Sequence, residues 1–422
     1  MERNTLTGKK RFWRWLIPVF IAAILVIGIS FAWINLNPGA AAQGADMLRG
    51  IFGDEAVGKL EGAVYSVQDA ATRLRYKVSG SQPNAPWQAS ASLPPAKPTR
   101  APVAASSTPV PSPTQADTSS GGARQPAVLA TPRITPTPAW ALPQLAKTGK
   151  LQGEGEWTSY ITAADGQVAA MRTFLQPDPD RPFAIVAVVA FNLDVTRLHY
   201  VLGSEEPLSE VKINRPGTID PADIQPGLLL AVFNGGFKTR HGHFGVMSGG
   251  AELIPPKPEM GTVAIYPDGM VAIGQWGDEI DPSTPMSVWR QNGPLVVHHG
   301  QINPHVSDPQ PAVWGYTVAE TVPIWRSGIG ISADGRTLFY FAGPGLGLPA
   351  LAQAMQTAGA DNAIQLDINN YWVHFDAISF KGTKAVPQAL FDEMGKDNPY
   401  RYLQPYTRDY FYITSANTTN EP

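Results

Sequence analysis

The longest uninterrupted apolar run in the chain spans Leu16 to Leu36 and contains no charged residue. About 20 residues rising 1.5 Å each cover roughly 30 Å, the thickness of a bilayer's hydrocarbon core, so residues 16–36 are expected to form one transmembrane helix. Arg3, Lys9, Lys10, Arg11 and Arg14 crowd the flank 1–15. Basic residues stay on the cytoplasmic side, so the chain is expected to be a single-pass membrane protein with a cytoplasmic N-terminus and an extracytoplasmic C-terminal domain. Trp13, Trp15 and Trp33 fall where interfacial aromatic belts lie. A cleaved signal peptide is the competing reading, because Ala40-Ala41-Ala42 resembles a cleavage site. The length of the run favours an uncleaved anchor.

Residues 44–78 carry a different pattern. Leu48, Ile51, Phe52, Val57, Leu60, Val64, Val67, Ala71 and Leu74 recur mostly at spacings of three and four, which predicts an amphipathic juxtamembrane helix. Such a helix could lie on the membrane surface or self-associate with a neighbouring copy. Over 79–148 the periodicity stops, and about 14 prolines stand among Ala, Ser and Thr. Too few large apolar side chains remain there to offset the entropy of ordering, so a disordered, partly polyproline tether is expected. At about 3.1 Å per residue it would reach roughly 200 Å when extended.

From 151 to 415 short apolar runs alternate with turn signals. Strands are predicted at Ala184–Phe191, Leu198–Leu202, Leu228–Phe233, Gly261–Tyr266, Val271–Gly274, Leu295–His298, Ser327–Ile331, Leu338–Ala342 and Asn362–Asp367. Pro267-Asp268-Gly269 and Ala333-Asp334-Gly335 fit tight hairpin turns. The clearest helix is Leu348–Thr357, which ends before Gly359. Many strands with a few helices predict a mixed, strand-rich α+β domain, followed by a short tail at 416–422.

Charge divides along the same lines. The formal net charge is -3. It is the sum of about +4 over residues 1–15, about +5 over 37–150 and about -12 over 151–422, the last from 16 Lys and Arg against 28 Asp and Glu. An acidic exported domain argues against a nucleic-acid partner. The absence of cysteine removes disulfides, thiolate catalysis and Cys-ligated metal.

Five stretches could carry chemistry. Leu228–Phe233 runs into Asn234-Gly235-Gly236-Phe237, where glycines would free the backbone for positive φ and leave N–H groups to cradle an anion. A hairpin turn is the plainer reading of the same residues. His241 and His243 would share one face of a strand, but no third or fourth ligand stands at a metal spacing, so substrate contact by His243 is preferred. His298 and His299 would point to opposite faces if extended. Asn292 lies in Gln291-Asn292-Gly293-Pro294, and Arg326 enters a strand of small residues, where it could hold a phosphate or carboxylate in bidentate fashion or form a structural salt bridge. Asp367 ends an apolar run and precedes Asn369, Asn370, Tyr371 and Trp372, residue types suited to acid/base work beside a sugar. It could equally cap the strand in an Asx turn. No metal or cofactor is expected.

In this order and spacing, Asn234-Gly-Gly-Phe237, Asn292-Gly-Pro-Leu295, Arg326-x-Gly-Ile-Gly330, the Gly347–Ala352 helix start and Gly359-Ala-x-x-Ala-Ile-x-Leu-Asp367 resemble the phosphodiester glycosidase family. The resemblance covers roughly residues 194–373. It implies a pocket that includes Asn234, Gly235, Gly236, Arg326 and Asp367, and hydrolysis of the bond between a sugar and a phosphodiester. The family usually follows its Leu-Asp with glycines and a serine, whereas here Ile368-Asn369-Asn370-Tyr371 follows, which implies a modified pocket. The resulting expectation is a membrane-anchored hydrolase acting on a glycan or glycosyl-phosphate of the envelope. Asp367 and Arg326 would be catalytic, and Asn234, Gly235, Gly236, Phe237, His243, Asn292, Asn369, Asn370 and Trp372 would bind substrate. The alternative is a catalytically silent glycan-binding or exopolysaccharide-assembly module on the same fold.

Overall fold

The structure is a computed structural model that describes residues 38–81, 83–87, 139–308, 314 and 321–416. The expected span 16–36, the flank 1–15 and most of the Pro-rich stretch lie outside the described residues. Among the described residues no helix is long and apolar enough to cross a membrane. Contacts divide the chain into residues 1–87 with 142–422, and residues 88–141.

Two helices open the first of these units, α1 (Pro38–Phe52) and α2 (Asp54–Ser79), separated by Gly53 at φ 83°. A residue with a side chain would be strained at that φ, so the expected single helix breaks there. Strands β1 (Thr158–Thr162), β2 (Val168–Leu175), β3 (Val186–Asn192), β4 (Thr196–Val201) and β5 (Leu229–Asn234) follow. Next come β6 (Val246–Ser248), β7 (Ala251–Ile254), β8 (Gly261–Ile265), β9 (Val271–Gln275), β10 (Val288–Gln291), β11 (Val297–His298) and β12 (Gln301–Ile302). Then β13 (Ile324–Ile331) and β14 (Thr337–Leu346) form a hairpin before helix α3 (Leu348–Thr357). Finally β15 (Asn362–Ile368), β16 (Phe375–Lys381), β17 (Lys384–Ala389) and β18 (Tyr410–Ser415) complete the domain.

These strands build one eight-stranded sheet, β1-β2-β3-β14-β13-β15-β11-β12, and two five-stranded sheets, β7-β6-β10-β8-β9 and β17-β16-β5-β18-β4. Each ladder is antiparallel. The strand-rich α+β expectation therefore holds. Gly269 (φ 84°) and Gly335 (φ 70°) occupy the left-handed positions of the two turns read from sequence. Strands β1, β2, β6, β7, β10, β12, β16, β17 and β18 go beyond those predicted from apolar runs, because several are short or interrupted by polar residues.

Aromatic side chains weld the eight-stranded sheet to the β5 sheet. Phe233 of β5 lies 5.0 Å from Tyr340 of β14, 6.1 Å from Phe375 of β16 and 5.6 Å from Phe411 of β18, ring centre to ring centre. All four rings are fully buried. Each contributes on the order of 2–3 kcal/mol of burial, and their mutual packing fixes how the strand ends meet. Helix α3 covers the other face of β13 and β14 with Leu348, Leu351, Ala352 and Met355. Gly328 of β13 has no side chain because the Met355 Cε would lie 2.1 Å from its Cβ.

The polar faces of α1 and α2 turn toward this domain. Arg181 clasps Asp69 with two 2.8 Å hydrogen bonds, and Tyr76 stacks on Phe183 at 5.1 Å. Of the apolar residues that define the amphipathic pattern, Val57 is buried, whereas Leu48, Ile51, Phe52, Leu60, Val64, Val67 and Leu74 are exposed.

The fold makes one position unusually intolerant. A Cβ on Gly343 would sit 1.8 Å from the Ile185 carbonyl oxygen, a backbone atom that has no freedom to swing away. Gly343→Ala should lower stability by about 1–3 kcal/mol or more. Urea unfolding should show a lower midpoint at unchanged slope; a wild-type midpoint would contradict the close approach of β14 to Ile185.

Candidate active site

Asn234 ends β5, Asp367 stands one residue from the end of β15, and Arg408-Asp409 immediately precede β18. Tyr410 pairs with Asn234 across the ladder, and the Gly235 N–H continues it by donating to the Asp409 carbonyl at 3.1 Å. Ends of strands from two different sheets therefore meet at one point. Ser327 of β13 joins them: its hydroxyl accepts from Asn234 Nδ2 at 3.0 Å and from the Asp367 N–H at 3.2 Å. The Asn234 side-chain oxygen accepts from the Tyr340 hydroxyl at 2.9 Å and the His374 N–H at 3.1 Å. Every polar atom of Asn234 is thus engaged, which locks its rotamer.

Charge is packed into this junction. Arg408 donates to Asp367 at 2.6 Å and to the Gly236 carbonyl at 2.7 Å. Arg290 of β10 donates to Asp409 at 2.8 Å and to the Phe237 carbonyl at 2.7 Å, and Tyr200 donates to the same Asp409 oxygen at 2.9 Å. Arg290, Arg408, Asp367 and Asp409 are all buried. Burial pushes the Asp367 carboxyl up to about 6, against the opposing pull of Arg408 and the Ile368 N–H. Arg408 itself stays firmly charged: burial opposes that charge, but Asp367 and Asp409 outweigh it.

Asp367, Ile368, Asn369, Trp372, Arg408 and His241 line a recess beside this network. Burial first, and then Arg240, Arg49, Arg408 and Lys238, drive the His241 imidazole down to about 2, so it is neutral and accepts a 3.1 Å bond from Arg240 Nε. Those four cations give the surroundings of His241 a positive field. Helices α1 and α2 close its outer side through Ala45, Asp46, Arg49, Glu61 and Tyr65. Asp46 forms ion pairs with Lys238 and Arg240, and Glu61 pairs with Arg49. Carboxylates of the helical segment therefore neutralise three of these cations.

Several residues expected at the site lie elsewhere. The Arg326 guanidinium is fully buried and turns to the Leu346 carbonyl at 2.8 Å and Gln365 Oε1 at 2.6 Å, away from the recess. A register shift between Arg326 and Gly328 in the β13–β15 ladder accompanies this turn. Gly235 and Gly236 do not have positive φ. They are glycines because a Cβ would strike the Asp409 carbonyl at 2.6 Å and Asn292 Oδ1 at 2.5 Å. The expected backbone cradle is also largely spent, since the Gly235 N–H goes to Asp409 and the Phe237 N–H to Asn292 Oδ1 at 2.8 Å. Asn292 is a buried brace that also donates to the Gln365 and Leu366 carbonyls at 2.6 Å. Phe237 belongs to an apolar cluster with Phe244, Ile324 and Ile368.

His243 is exposed, because the segment is a 3-10 turn (Thr239–His241) rather than a strand, and His241 is the one that enters the recess. Among the described residues His241 and His243 form no metal-ligating group. Asn369 takes the left-handed φ of 84° and lines the recess, while Asn370 lines a separate groove against α2. Trp372 lies beneath Arg408 and Lys238, at 4.4 and 4.7 Å from its ring centre. Sequence reading does not single out Lys238, Arg240, Arg290, Arg408 or Asp409. The one available signal is Arg408-Asp409 set directly before the aromatic strand Tyr410-Phe411-Tyr412, a charged pair at a strand mouth.

The Arg290–Asp409 pair supports a direct test. Arg290→Met leaves Asp409 buried with only Tyr200 as a side-chain donor and should cost about 3–5 kcal/mol. Adding Asp409→Asn should recover part of that loss in a double-mutant cycle of unfolding free energies. Additive losses would show that the two side chains do not stabilise the junction together.

Residues 228–367 match the family model described as phosphodiester glycosidase. No curated protein matches the chain. Among solved structures, it is similar to the catalytic domain of a zebrafish N-acetylglucosamine-1-phosphodiester alpha-N-acetylglucosaminidase auto-inhibited by its pro-peptide. That match has 13% identity and a TM-score of 0.38, covering 61% of this chain and 87% of the other. A hypothetical protein from Synechocystis matches at 11% identity and a TM-score of 0.35, covering 61% of this chain and 64% of that one. A putative exported protein from Burkholderia pseudomallei matches at 12% and 0.26, covering 55% and 74%. Asn234, Asn292, Arg326 and Asp367 all lie inside the stretch 228–367 that matches this family model.

Proposed function

We propose that the protein hydrolyses the bond between the anomeric carbon of a sugar and a phosphodiester. The observation that carries this reading is the recess lined by Arg408, Asp367 and His241, whose imidazole is kept neutral by burial and by the nearby charges of Arg240, Arg49, Arg408 and Lys238. Phosphate is a good leaving group, so the site's main tasks are to hold its charge and to activate water. Two unit charges 4 Å apart gain roughly 4 kcal/mol at an effective dielectric of 20, against about 1 in water. The domain's distant acidic residues are screened beyond about 8–10 Å. The local cations therefore decide what binds, which favours a single phosphodiester over a long polyanion. Asp367 as the anion takes a proton from water as the water attacks the anomeric carbon. The carbon–oxygen bond to phosphate breaks, and a free sugar and a phosphomonoester leave. Arg408 holds Asp367 in place and stands ready for the departing phosphate. With Arg408 and Lys238 over the Trp372 ring, a sugar would have to displace a cation to stack there, so nothing at the site favours a purely glycan-binding module.

Arg326 has no assigned part in this chemistry. Asp367→Asn should abolish hydrolysis of a soluble sugar phosphodiester, and Arg408→Met should reduce kcat/KM by at least 100-fold, roughly the 2.7 kcal/mol or more attached to one well-placed donor. The anion is the active form and its pKa is raised, so kcat/KM should fall as pH drops through about 6. A wild-type profile flat from pH 5 to 7 with full turnover would rule out Asp367 as the base.

The helical segment 38–79 acts as a cover in this reading. Asp46 sits between Lys238 and Arg240 as a substitute for phosphate, and substrate must displace it. The outward apolar face of α1 and α2 suits a lipid surface, which agrees with an anchor at 16–36 that would keep the domain outside the cell and near envelope glycans. Asp46→Ala should lower KM for a soluble sugar phosphodiester several-fold with little change in kcat. An unchanged or higher KM in steady-state assays would remove the cover from the account.

A further inference from the structure

The connection between β11 and β12 consists of His299 and Gly300, both in the left-handed region at φ 48° and 69°. Two-residue hairpins with positive φ at both positions match the twist of their strands. This geometry overturns the expectation that His298 and His299 face apart. Alternation applies to extended backbone, and at His299 the backbone is not extended. The two imidazoles stack with ring centres 4.3 Å apart.

Both Nε2 atoms converge on one oxygen. Glu279 Oε1 lies 2.5 Å from His298 Nε2 and 3.0 Å from His299 Nε2. The other Glu279 oxygen accepts the Gln275 N–H at 2.8 Å, which orients the carboxylate. Gly274 leaves the room this needs, since its Cβ would lie 2.6 Å from the Glu279 Cβ. The turn is held as firmly: the Gly300 N–H donates to the Asp361 carbonyl at 2.8 Å, the His299 N–H donates to Asn362 Oδ1 at 3.1 Å, and Gln356 donates to the Gly300 carbonyl at 2.8 Å. Asp361 Oδ2 stands 3.8 Å from His299 Nδ1, on the far side of the ring from Glu279.

We propose that Glu279, His298 and His299 bind a divalent transition-metal ion of the Zn2+ type, with Asp361 orienting His299 from behind. Two imidazole nitrogens and one carboxylate oxygen form a donor set of intermediate softness, which suits zinc over the hard, all-oxygen ions calcium and magnesium. One ligand atom from each residue lies within 4.8 Å of the others. Metal–ligand bonds of about 2.0–2.1 Å in a tetrahedron place ligand atoms roughly 3.3–3.4 Å apart. The two Glu279–histidine spacings need to open by less than about 1 Å, which partly exposed side chains permit. A carboxylate behind a metal-bound imidazole is the usual means of fixing its tautomer. His299 remains largely open to solvent, so water completes the coordination. None of the three residues lines the recess at Asp367. The ion would instead clamp the segment after β9, in a five-stranded sheet, to the edge hairpin of the eight-stranded sheet, a structural role separate from hydrolysis.

The test uses the full-length, untagged chain, stripped with chelator and titrated with Zn2+ alone by calorimetry, with elemental analysis after gel filtration. One zinc per chain and a raised thermal midpoint are expected. His298→Ala, Glu279→Gln and His299→Asn should each weaken binding at least tenfold. The asparagine variant retains a side chain that tolerates the left-handed turn, and an unchanged midpoint without zinc would show that the variant still folds. His305→Ala, at another surface histidine paired with Asp308, should bind as the parent does. No zinc uptake by the parent chain, or uptake undiminished in the His298→Ala/His299→Asn double variant, would overturn the proposal.

Discussion

Arg290 and Asp409 leave water together, and much of the geometry of the candidate site follows from keeping them paired. An unpaired charge at that depth would cost several kcal/mol, so β10, β18 and the Gly235–Phe237 turn must arrive at one point with their donors and acceptors matched. Arg290 reaches both Asp409 and the Phe237 carbonyl, and Asp409 in turn receives Tyr200. The two glycines after Asn234 are the steric consequence. Backbone and side-chain oxygens already fill the space where their Cβ atoms would be. This first pair sets the position of the second, because Arg408 precedes Asp409 in the chain and is thereby carried to Asp367.

The second pair gives the site its chemical bias. Asp367 is buried enough to hold its proton up to about 6 and lies close enough to Arg408 to lose it above that. His241, among cations, stays neutral. A positive recess beside a carboxyl poised near neutrality suits a reaction that needs a base on one side and an anion holder on the other. The acidic residues on α1 and α2 satisfy the same field when no ligand does, so the sequence 38–79 belongs to the site's electrostatics even though it lies outside the family-matched stretch.

Where local patterns control local structure, the sequence was readable. The Leu348–Thr357 helix forms at the predicted residues, the turns at Gly269 and Gly335 take the expected left-handed φ, and β13 and β15 form where small and apolar residues alternate with few breaks. Asn234 and Asp367 were also visible, since each closes an apolar run at a strand end. Arg326 shows the limit. The same residue in the same strand could reach a ligand or bond inward, and in the folded chain its guanidinium turns to the Leu346 carbonyl. His243 was expected to contact substrate, but a three-residue 3-10 turn leaves it exposed and brings His241 into the recess. His298 and His299 were separated by the same assumption and are brought together by one left-handed residue.

From the sequence alone came the division of the chain by apolar run, proline content and charge, the strand-rich class of the domain, and the two strand-end residues around which the site is built. Those properties depend on neighbours within about ten positions, which is the range over which periodicity and turn chemistry act. The tertiary structure alone decided that Arg408 meets Asp367, that Arg290 meets Asp409 from 119 residues away, and that Asp46 crosses 192 residues to meet Lys238. Such pairings are chosen by which sheet edges can pack without leaving a buried charge unmatched, a condition that exists only once the strands have come together.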